Sequence, residues 1–159
     1  MPKPLAIFGA GLSAQAARRL AQSQGQEAVL LDERGSGDCN EFTEADIDRF
    51  DEFVFSPGFA ENHPWRQLLE TSKLPCMSEL AYAAKSWKGQ IIAITGTNGK
   101  STLTALLNKA LDQAGEVAVS AGNIGYPFSE AVLSESNQEG AYAVLEISSF
   151  QAELADGME

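Results

Sequence analysis

TGTNGKST, residues 95–102, follows an apolar run and precedes a segment with the residue pattern of a helix. A strand, a glycine-containing loop and a helix in this order are typical of a phosphate-binding loop. Backbone N–H groups of such a loop surround an anion, Gly99 permits close approach, Lys100 can reach β- and γ-phosphates, and the Ser101 hydroxyl can bind Mg²⁺. The strict motif has a further glycine where this chain carries Ile94. The stretch therefore predicts a nucleotide phosphate site.

Around this loop, apolar runs separated by glycines predict two α/β units in tandem. In the first unit we expect strands at residues 5–8, 28–31 and 53–55, with helices near 13–24, from about 64, and at 79–85. In the second we expect strands at 90–95, 117–121 and 142–146, with helices at 101–114 and ending near 135. Residues 87–89, WKG, have the composition of a hinge between the units. The fold class is therefore predicted to be α/β.

Composition and charge limit the possible partners. The chain has 159 residues, of which 44% are hydrophobic and 21% charged, as in a folded globular protein. Its formal net charge of −11 repels nucleic acid and anionic lipid surfaces. No segment has the apolar length of a membrane helix, and residues 1–4 lead into a strand without a signal region. We therefore expect a cytoplasmic protein without nucleic-acid, membrane or obligate protein partners.

Three further features are expected to be structural. Cys39 and Cys76 lie far apart without CxxC spacing, which favours reduced thiols over a disulfide or a zinc site. Residues 38–52 are strongly acidic but lack EF-hand spacing, which favours a solvated loop and helix face over a metal cluster. His63, followed by Pro64, is expected to shape a loop or a helix entry rather than to act in catalysis.

A second glycine turn, GAGLSA at residues 9–14, lies between the first predicted strand and helix. It fits the G-x-G-x-x-G/A form, and Asp32 at the end of the next strand is suitably placed to accept hydrogen bonds from ribose hydroxyls. Glycine lets the backbone approach a diphosphate, and the helix N-terminus supplies N–H groups and a partial positive charge. The pattern does not distinguish NAD from another diphosphate nucleotide, and a tight turn that binds nothing is the weaker alternative.

Polar residues follow two other strands of the second unit. Asn123 lies in GNIG, residues 122–125, and Glu146 ends an apolar strand just before SSFQ, residues 148–151. Open α/β sheets bind ligands at the carboxyl ends of their strands, so both residues fall where the phosphate loop is expected. Taken alone, Asn123 is a common turn residue and Glu146 a strand-end carboxylate. Beside a phosphate loop, Glu146 becomes a candidate Mg²⁺ ligand.

TGTNGKST, GNIGYP and LEISSFQ, in this order and at this spacing, resemble motifs of the Mur ligase family of peptidoglycan synthesis. That family's phosphate loop also lacks the early glycine, and its N-terminal domain is Rossmann-like but binds a UDP-sugar. The resemblance implies a Rossmann-like UDP-sugar-binding domain at residues 1–88 and the first part of a central P-loop ATPase domain at 89–159. The GNIG and E-x-SSFQ forms are most similar to members that join D-glutamate to UDP-N-acetylmuramoyl-L-alanine.

The resemblance also implies roles for individual residues. The implied ATP and Mg²⁺ contacts lie in the phosphate loop, at Asn98, Gly99, Lys100, Ser101 and Thr102. Glu146 and Ser101 are the implied metal ligands, and Asn123 contacts the UDP-substrate side, so the implied catalytic set is Lys100, Glu146 and Asn123. The implied UDP-sugar contacts are Leu12, Ser13, Asp32, Arg34, Ser56, Pro57 and Gly58. Glu33 occupies a position where relatives commonly have a small hydroxylic residue.

The implied reaction uses ATP to convert the substrate carboxylate to an acyl phosphate, which the D-glutamate amine then attacks as phosphate leaves. In the family, the D-glutamate contacts, further ATP contacts and a carbamylated lysine lie beyond the position of residue 159, so the chain alone is expected to be inactive or nearly so. The alternatives are a UDP-sugar- or nucleotide-binding fragment without catalysis, another Mur-type ligase, and an NAD-dependent redox domain. The last leaves TGTNGKST unexplained, while the two-glycine turn and SSFQ argue against folylpolyglutamate synthase.

Overall fold

A computed structural model describes residues 3–60, 62–123 and 126–148 of the chain. Strands and helices alternate along most of this length, as the sequence predicts. The elements of the first unit are β1 (Leu5–Phe8), α1 (Leu12–Ser23), β2 (Ala28–Leu31), β3 (Glu52–Phe55), α2 (Pro64–Thr71), β4 (Cys76–Ser78) and α3 (Glu79–Ala84). Those of the second are β5 (Gln90–Ile94), α4 (Lys100–Gln113), β6 (Ala118–Gly122), α5 (Phe128–Leu133) and β7 (Tyr142–Glu146).

The first sheet has the strand order β2-β1-β3-β4, and its neighbouring strands are all parallel. Successive residues of β1 enter two different cores: Leu5 and Ile7 face one, and Ala6 and Phe8 face the other. The second core is aromatic, and the Phe8 and Phe55 rings stack with their centroids 4.3 Å apart. Burial on both faces explains why these strands read as continuous apolar runs.

The second sheet has the order β5-β7-β6 and is also parallel. Ile94, Glu146 and Gly122, the last residues of the three strands, share one register position at its carboxyl edge. The phosphate loop after β5 and the turn after β6 therefore begin on either side of Glu146. The mixed α/β class with parallel sheets is confirmed.

The two sheets share one apolar core through helices α1, α3 and α5. Leu20 of α1, Leu80 of α3 and Phe128 of α5 belong to the same buried cluster, which also contains Leu145 of β7. Helices α1 and α3 pack on the first sheet, α5 packs on the second, and α5 contacts both α1 and α3. The units are thus joined by packed helices as well as by the chain.

The connecting residues 87–89, predicted to form a hinge, are instead tightly packed. Trp87 is buried. A Cβ added to Gly89 would lie 2.1 Å from the Ala141 carbonyl oxygen, so only glycine fits there. The Asn137 Oδ1 atom accepts a hydrogen bond from the Lys88 N–H at 2.8 Å. The glycine that suggested flexibility therefore permits close backbone packing.

Other differences from the sequence prediction are local. The pattern does not predict β4, because three residues are too few to show an alternation. The acidic stretch contains a 3₁₀ helix, Glu44–Arg49, with no buried residue, in agreement with a solvated face. Helix α4 is largely exposed: Thr104 is its one buried residue, while Leu103 and Leu106 are 54% and 61% exposed. Among the described residues, no helix has the length and apolar character needed to cross a membrane.

Candidate functional site

The first glycine turn brings the loop after β3 close to the loop after β1. Gly9 has a φ of +115°, and a Cβ added to it would lie 2.2 Å from Ser56 Oγ. The Ser56 hydroxyl is held there because it donates a hydrogen bond to the Phe8 carbonyl at 2.7 Å. Gly11 differs, since it has open space around it and precedes α1 without a side-chain cap. The N-terminal amides of α1 are therefore open to an anionic ligand.

These loops line a cavity of about 730 Å³. Every UDP-sugar contact expected in the first unit lies on its wall: Leu12, Ser13, Asp32, Arg34, Ser56, Pro57 and Gly58. Asp32 Oδ2 accepts a hydrogen bond from the Ser36 N–H at 3.2 Å, which fixes the carboxylate at the end of β2. The cavity thus combines helix-terminal amides with the Asp32 carboxylate and the Arg34 guanidinium, groups that suit a nucleotide.

Glu33 and His63 also line this cavity. Neither is among the UDP-sugar contacts that the motifs predict. His63 Nδ1 accepts a hydrogen bond from the Trp65 N–H at 3.2 Å and so caps α2, in agreement with its predicted structural role. The proton of the neutral imidazole is then on Nε2, which lies 3.3 Å from Glu33 Oε1. Pro64 immediately after His63 was the available sequence signal for this cap.

The phosphate loop has the conformation that its glycines predict. Gly96 and Gly99 have φ values of +143° and +77°, which other residues rarely adopt. Gly99 precedes α4 and no side chain caps the helix, so the N–H groups of its first turn are open to an anion. Lys100 Nζ donates a hydrogen bond to the Gly96 carbonyl at 2.7 Å, which holds the ammonium over the loop.

The rest of the predicted loop set is exposed. Asn98 lies in the loop, and Ser101 and Thr102 lie in the first turn of α4, with all three side chains accessible to solvent. Residues 89–159 contain two basic side chains, Lys100 and Lys109, against nine acidic ones. Lys100 is therefore the principal source of positive charge at this loop.

The surroundings of Glu146 favour a bound cation. Its side chain is 3% exposed, and its Oε2 atom is buried without a hydrogen-bond partner. A buried carboxylate oxygen without a partner is energetically costly unless a cation is bound to it. The described residues contain no cluster of three or more His, Cys, Asp or Glu side chains, and Mg²⁺ typically uses one or two carboxylates together with phosphates and water. Glu146 therefore fits a Mg²⁺ ligand, and the Ser101 hydroxyl stays a prediction as the second one.

Asn123 lines a second, open cavity of about 640 Å³, which shares part of its lining with the first. Both cavities share residues 57–60, and Asn62, Asn123 and Ser148 complete the second. The Asn123 N–H donates to the Glu146 carbonyl at 2.9 Å, and a Cβ added to Gly122 would lie 2.5 Å from that same oxygen. The turn after β6 is thus fixed to the end of β7 and faces the first unit.

The motif residues are not all brought into one cavity. Asn123 shares a cavity with Pro57 and Gly58, whereas no residue of the phosphate loop lines either cavity in the part of the chain that is described. The loop is related to Asn123 through the sheet edge at Glu146. The remaining motif positions, Ile124, Gly125 and residues 149–151, lie outside the described residues.

Known proteins resemble this chain along most of its length. Residues 94–159 match the family model described as the Mur ligase middle domain. A UDP-N-acetylmuramoylalanine--D-glutamate ligase of Aquifex aeolicus is 40% identical over 146 residues, which cover 91% of this chain and 34% of that protein. The enzyme of the same name from Fusobacterium nucleatum is 36% identical over 155 residues, covering 95% of this chain and 35% of that protein.

A solved structure titled UDP-N-acetylmuramate:L-alanyl-gamma-D-glutamyl-meso-diaminopimelate ligase, from Neisseria meningitides, gives a TM-score of 0.47 at 17% identity, covering 91% of this chain and 52% of that one. This likeness is too distant to bear on function. The chain spans about a third of the length of the curated relatives it matches. The middle-domain match begins at Ile94, directly before the phosphate loop, and the relatives extend the similarity over the first glycine turn as well. Residues 94–159 thus belong to the Mur ligase middle-domain family, and the chain as a whole is similar to Mur ligases over more than nine tenths of its length.

Proposed function

We propose that the chain provides the UDP-sugar site and the phosphate loop of an ATP-dependent ligase that joins D-glutamate to UDP-N-acetylmuramoyl-L-alanine. The observation that carries the proposal is the shared lining of the two cavities, because residues 57–60 border both the cavity at the Gly9 turn and the cavity that contains Asn123. A nucleotide bound in the first cavity would extend its sugar and acyl portion into the second. The relatives' names specify the substrates, and the domain boundary after Lys88 forms part of the same proposal.

The first cavity suits the UDP portion for electrostatic reasons. With a net charge of −11, the chain has no general attraction for a diphosphate. The open amides of α1 and the Arg34 guanidinium supply positive potential locally. Asp32 can accept hydrogen bonds from ribose hydroxyls, and the exposed Leu12 side chain offers an apolar surface to the base.

The carboxyl edge of the second sheet suits phosphoryl transfer. Amides of the loop and of α4 would hold the ATP phosphates, and Lys100 would offset the negative charge on the transferring group. Glu146 and Ser101 would hold Mg²⁺, which supplies charge neutralisation at the phosphates when it is bound. Asn123 would orient the acyl end of the UDP-sugar so that its carboxylate oxygen faces the γ-phosphate. The carboxylate oxygen would take the γ-phosphoryl group as the bond to ADP breaks, which gives an acyl phosphate and ADP. The D-glutamate amine would then attack the acyl carbon, displace phosphate and lose a proton.

Calorimetry on the chain tests the first part of the proposal. We expect UDP-N-acetylmuramoyl-L-alanine to bind more tightly than UDP, because its acyl-sugar portion reaches the second cavity. Arg34→Met should weaken both ligands by about tenfold, the size expected for one charge-assisted contact. Arg49→Met is the matched control, since Arg49 pairs with Asp46 on the 3₁₀ helix. A folded chain that binds neither ligand would contradict the proposal.

A binding role without catalysis and an NAD-binding role are the alternatives that particular observations favour. The first cavity alone suffices for nucleotide binding, so phosphate release that requires D-glutamate, ATP and the UDP-sugar together separates a ligase from a binding fragment. The GAGLSA turn with Asp32 also fits NAD. NADH binding that UDP does not compete with would favour a redox domain.

The proposed substrates are consistent with a cytoplasmic location, where nucleotide precursors and ATP are available.

A further inference from the structure

A buried carboxylate links the two units at a point outside both cavities. Glu79, the first residue of α3, is 2% exposed, and its Oε1 atom accepts a hydrogen bond from the Ser129 N–H at 2.7 Å. Ser129 lies in the first turn of α5, where backbone amides have no carbonyl partner within the helix. The position before α5 is Pro127, which has no side-chain donor or acceptor. Glu79 of the first unit therefore caps a helix of the second.

The capped helix directly follows the turn that carries Asn123. At its start, this turn is held by the hydrogen bond from the Asn123 N–H to Glu146, and Gly122 N–H donates to the Tyr126 carbonyl at 3.3 Å. At its end, the turn runs into the helix that Glu79 caps. Asn123 faces residues 57–60 of the first unit across the second cavity. Glu79 is thus a hydrogen-bonded link between the first unit and the start of α5, which follows Tyr126 and Pro127.

The C-terminal end of α5 is tied to the first unit by Asn137, whose Nδ2 donates to the Ser86 and Val132 carbonyls, while the rest of the helix is packed through apolar contacts. The contacts of α5 with α1 and α3 are mostly between apolar side chains, and such contacts have no preferred direction. A short hydrogen bond from a helix-terminal amide to a carboxylate fixes both distance and orientation. The Arg19–Glu130 ion pair also joins α1 to α5, but it is exposed and makes no contact with the helix-terminal amide.

We propose that Glu79 is a positioning residue, which sets the distance between Asn123 and residues 57–60 and thereby the width of the second cavity. The inference rests on the proposed function, because the second cavity is taken to receive the acyl-sugar portion of the substrate. A residue that only stabilised the fold would affect all ligands equally. Replacing a positioning residue lowers the affinity for the ligand that reaches the second cavity. It leaves the affinity for UDP unchanged, because UDP does not extend beyond the first cavity.

The test compares UDP with UDP-N-acetylmuramoyl-L-alanine on the full chain by calorimetry. In Glu79→Ala, UDP affinity should stay within about twofold, while affinity for the UDP-sugar falls about tenfold, as for the loss of one well-placed hydrogen bond. Glu79→Gln should restore the affinity for the UDP-sugar, because its amide oxygen can accept from Ser129. Glu79→Asp, one methylene shorter, gives an intermediate loss if the alanine variant does not fold. Arg19→Ala, the matched control, should leave the ratio of the two affinities unchanged.

The positioning role would be overturned if the ratio of the two affinities is unchanged in Glu79→Ala and in Glu79→Asp. This holds whether the two ligands are weakened equally or not at all. The same holds if Arg19→Ala changes the ratio as much as these variants do. If the unsubstituted chain binds neither ligand, the proposed function fails and the positioning role fails with it. If it binds both while the Glu79 variants keep its ratio, the positioning role alone fails.

Discussion

Replacing Gly9 by alanine should destabilise the fold through a single identifiable clash. The added Cβ would lie 2.2 Å from Ser56 Oγ and 3.2 Å from Ser56 Cβ, while the φ of +115° is itself unfavourable for alanine. Backbone strain of this kind costs about 1–3 kcal/mol, and overpacking of a buried site costs about 1–3 kcal/mol. We therefore expect Gly9→Ala to lower the free energy of unfolding by about 2–6 kcal/mol.

Urea unfolding, followed by circular dichroism, measures this loss as a shift of the midpoint at constant slope. Gly11→Ala is the matched control, because its φ is −73° and no atom lies within 4 Å of the added Cβ. Its cost should be about 1 kcal/mol, because alanine is a poorer N-cap residue than glycine but meets no clash here.

A double-mutant cycle separates the two causes. Ser56→Ala removes the clashing Oγ and costs about 1 kcal/mol for the lost hydrogen bond, while the Phe8 carbonyl keeps the Ser56 N–H at 3.0 Å. In the Gly9→Ala/Ser56→Ala chain, the stability lost through the clash with Ser56 Oγ should be recovered. The stability lost because alanine disfavours a φ of +115° should not be recovered. Strict additivity of the two losses, or a Gly9→Ala midpoint equal to that of Gly11→Ala, would refute the reasoning.

Three further predictions concern charged residues. Glu146→Gln should raise stability without Mg²⁺ by about 1 kcal/mol, since it removes a buried charge, and should abolish any stabilisation by Mg²⁺-ATP in thermal unfolding. Lys100→Met should weaken ATP binding by at least about tenfold while UDP binding, measured by calorimetry, stays unchanged. Burial raises the folded-state pKa of Glu79 above its ordinary 4.5, and hydrogen bonds from Ser129 offset this only in part. The folded state then holds this proton more tightly than the unfolded state, so stability should fall as pH rises from 4.5 through the folded pKa, a fall that urea titrations of Glu79→Gln should not show.

The sequence predicted the elements that have a strong local signal. β1, β2 and β7 begin and end at the predicted residues. Each is a short apolar run flanked by glycines or charged residues, and this pattern favours a buried strand. The positive φ of Gly99 and the start of α4 beside it follow directly from the phosphate-loop motif. The seven expected UDP-sugar contacts share a cavity because parallel strands bring their following loops to one edge.

What the sequence could not predict depends on contacts between distant segments. Gly9 was expected to make room for a diphosphate, and the structure shows it making room for Ser56. Gly89 suggested a hinge, but its lack of a side chain allows packing against Ala141. The cap that Glu79 forms on α5 joins residues fifty positions apart. No local pattern contains such information, because each of these contacts exists only after segments distant in the sequence have packed together.

The core shared by α1, α3 and α5 has a consequence for biosynthesis. The last strand of the first sheet ends at Ser78, and α5 begins at Phe128, roughly fifty residues later, or about 3–10 s of ribosomal synthesis at typical rates. During that interval the first sheet is complete, yet α1 and α3 lack the apolar contacts that the later helix makes with them. The nascent chain is therefore a natural client for a chaperone at this stage. Chimaeras assembled from different family members would need to inherit α1, α3 and α5 from one parent.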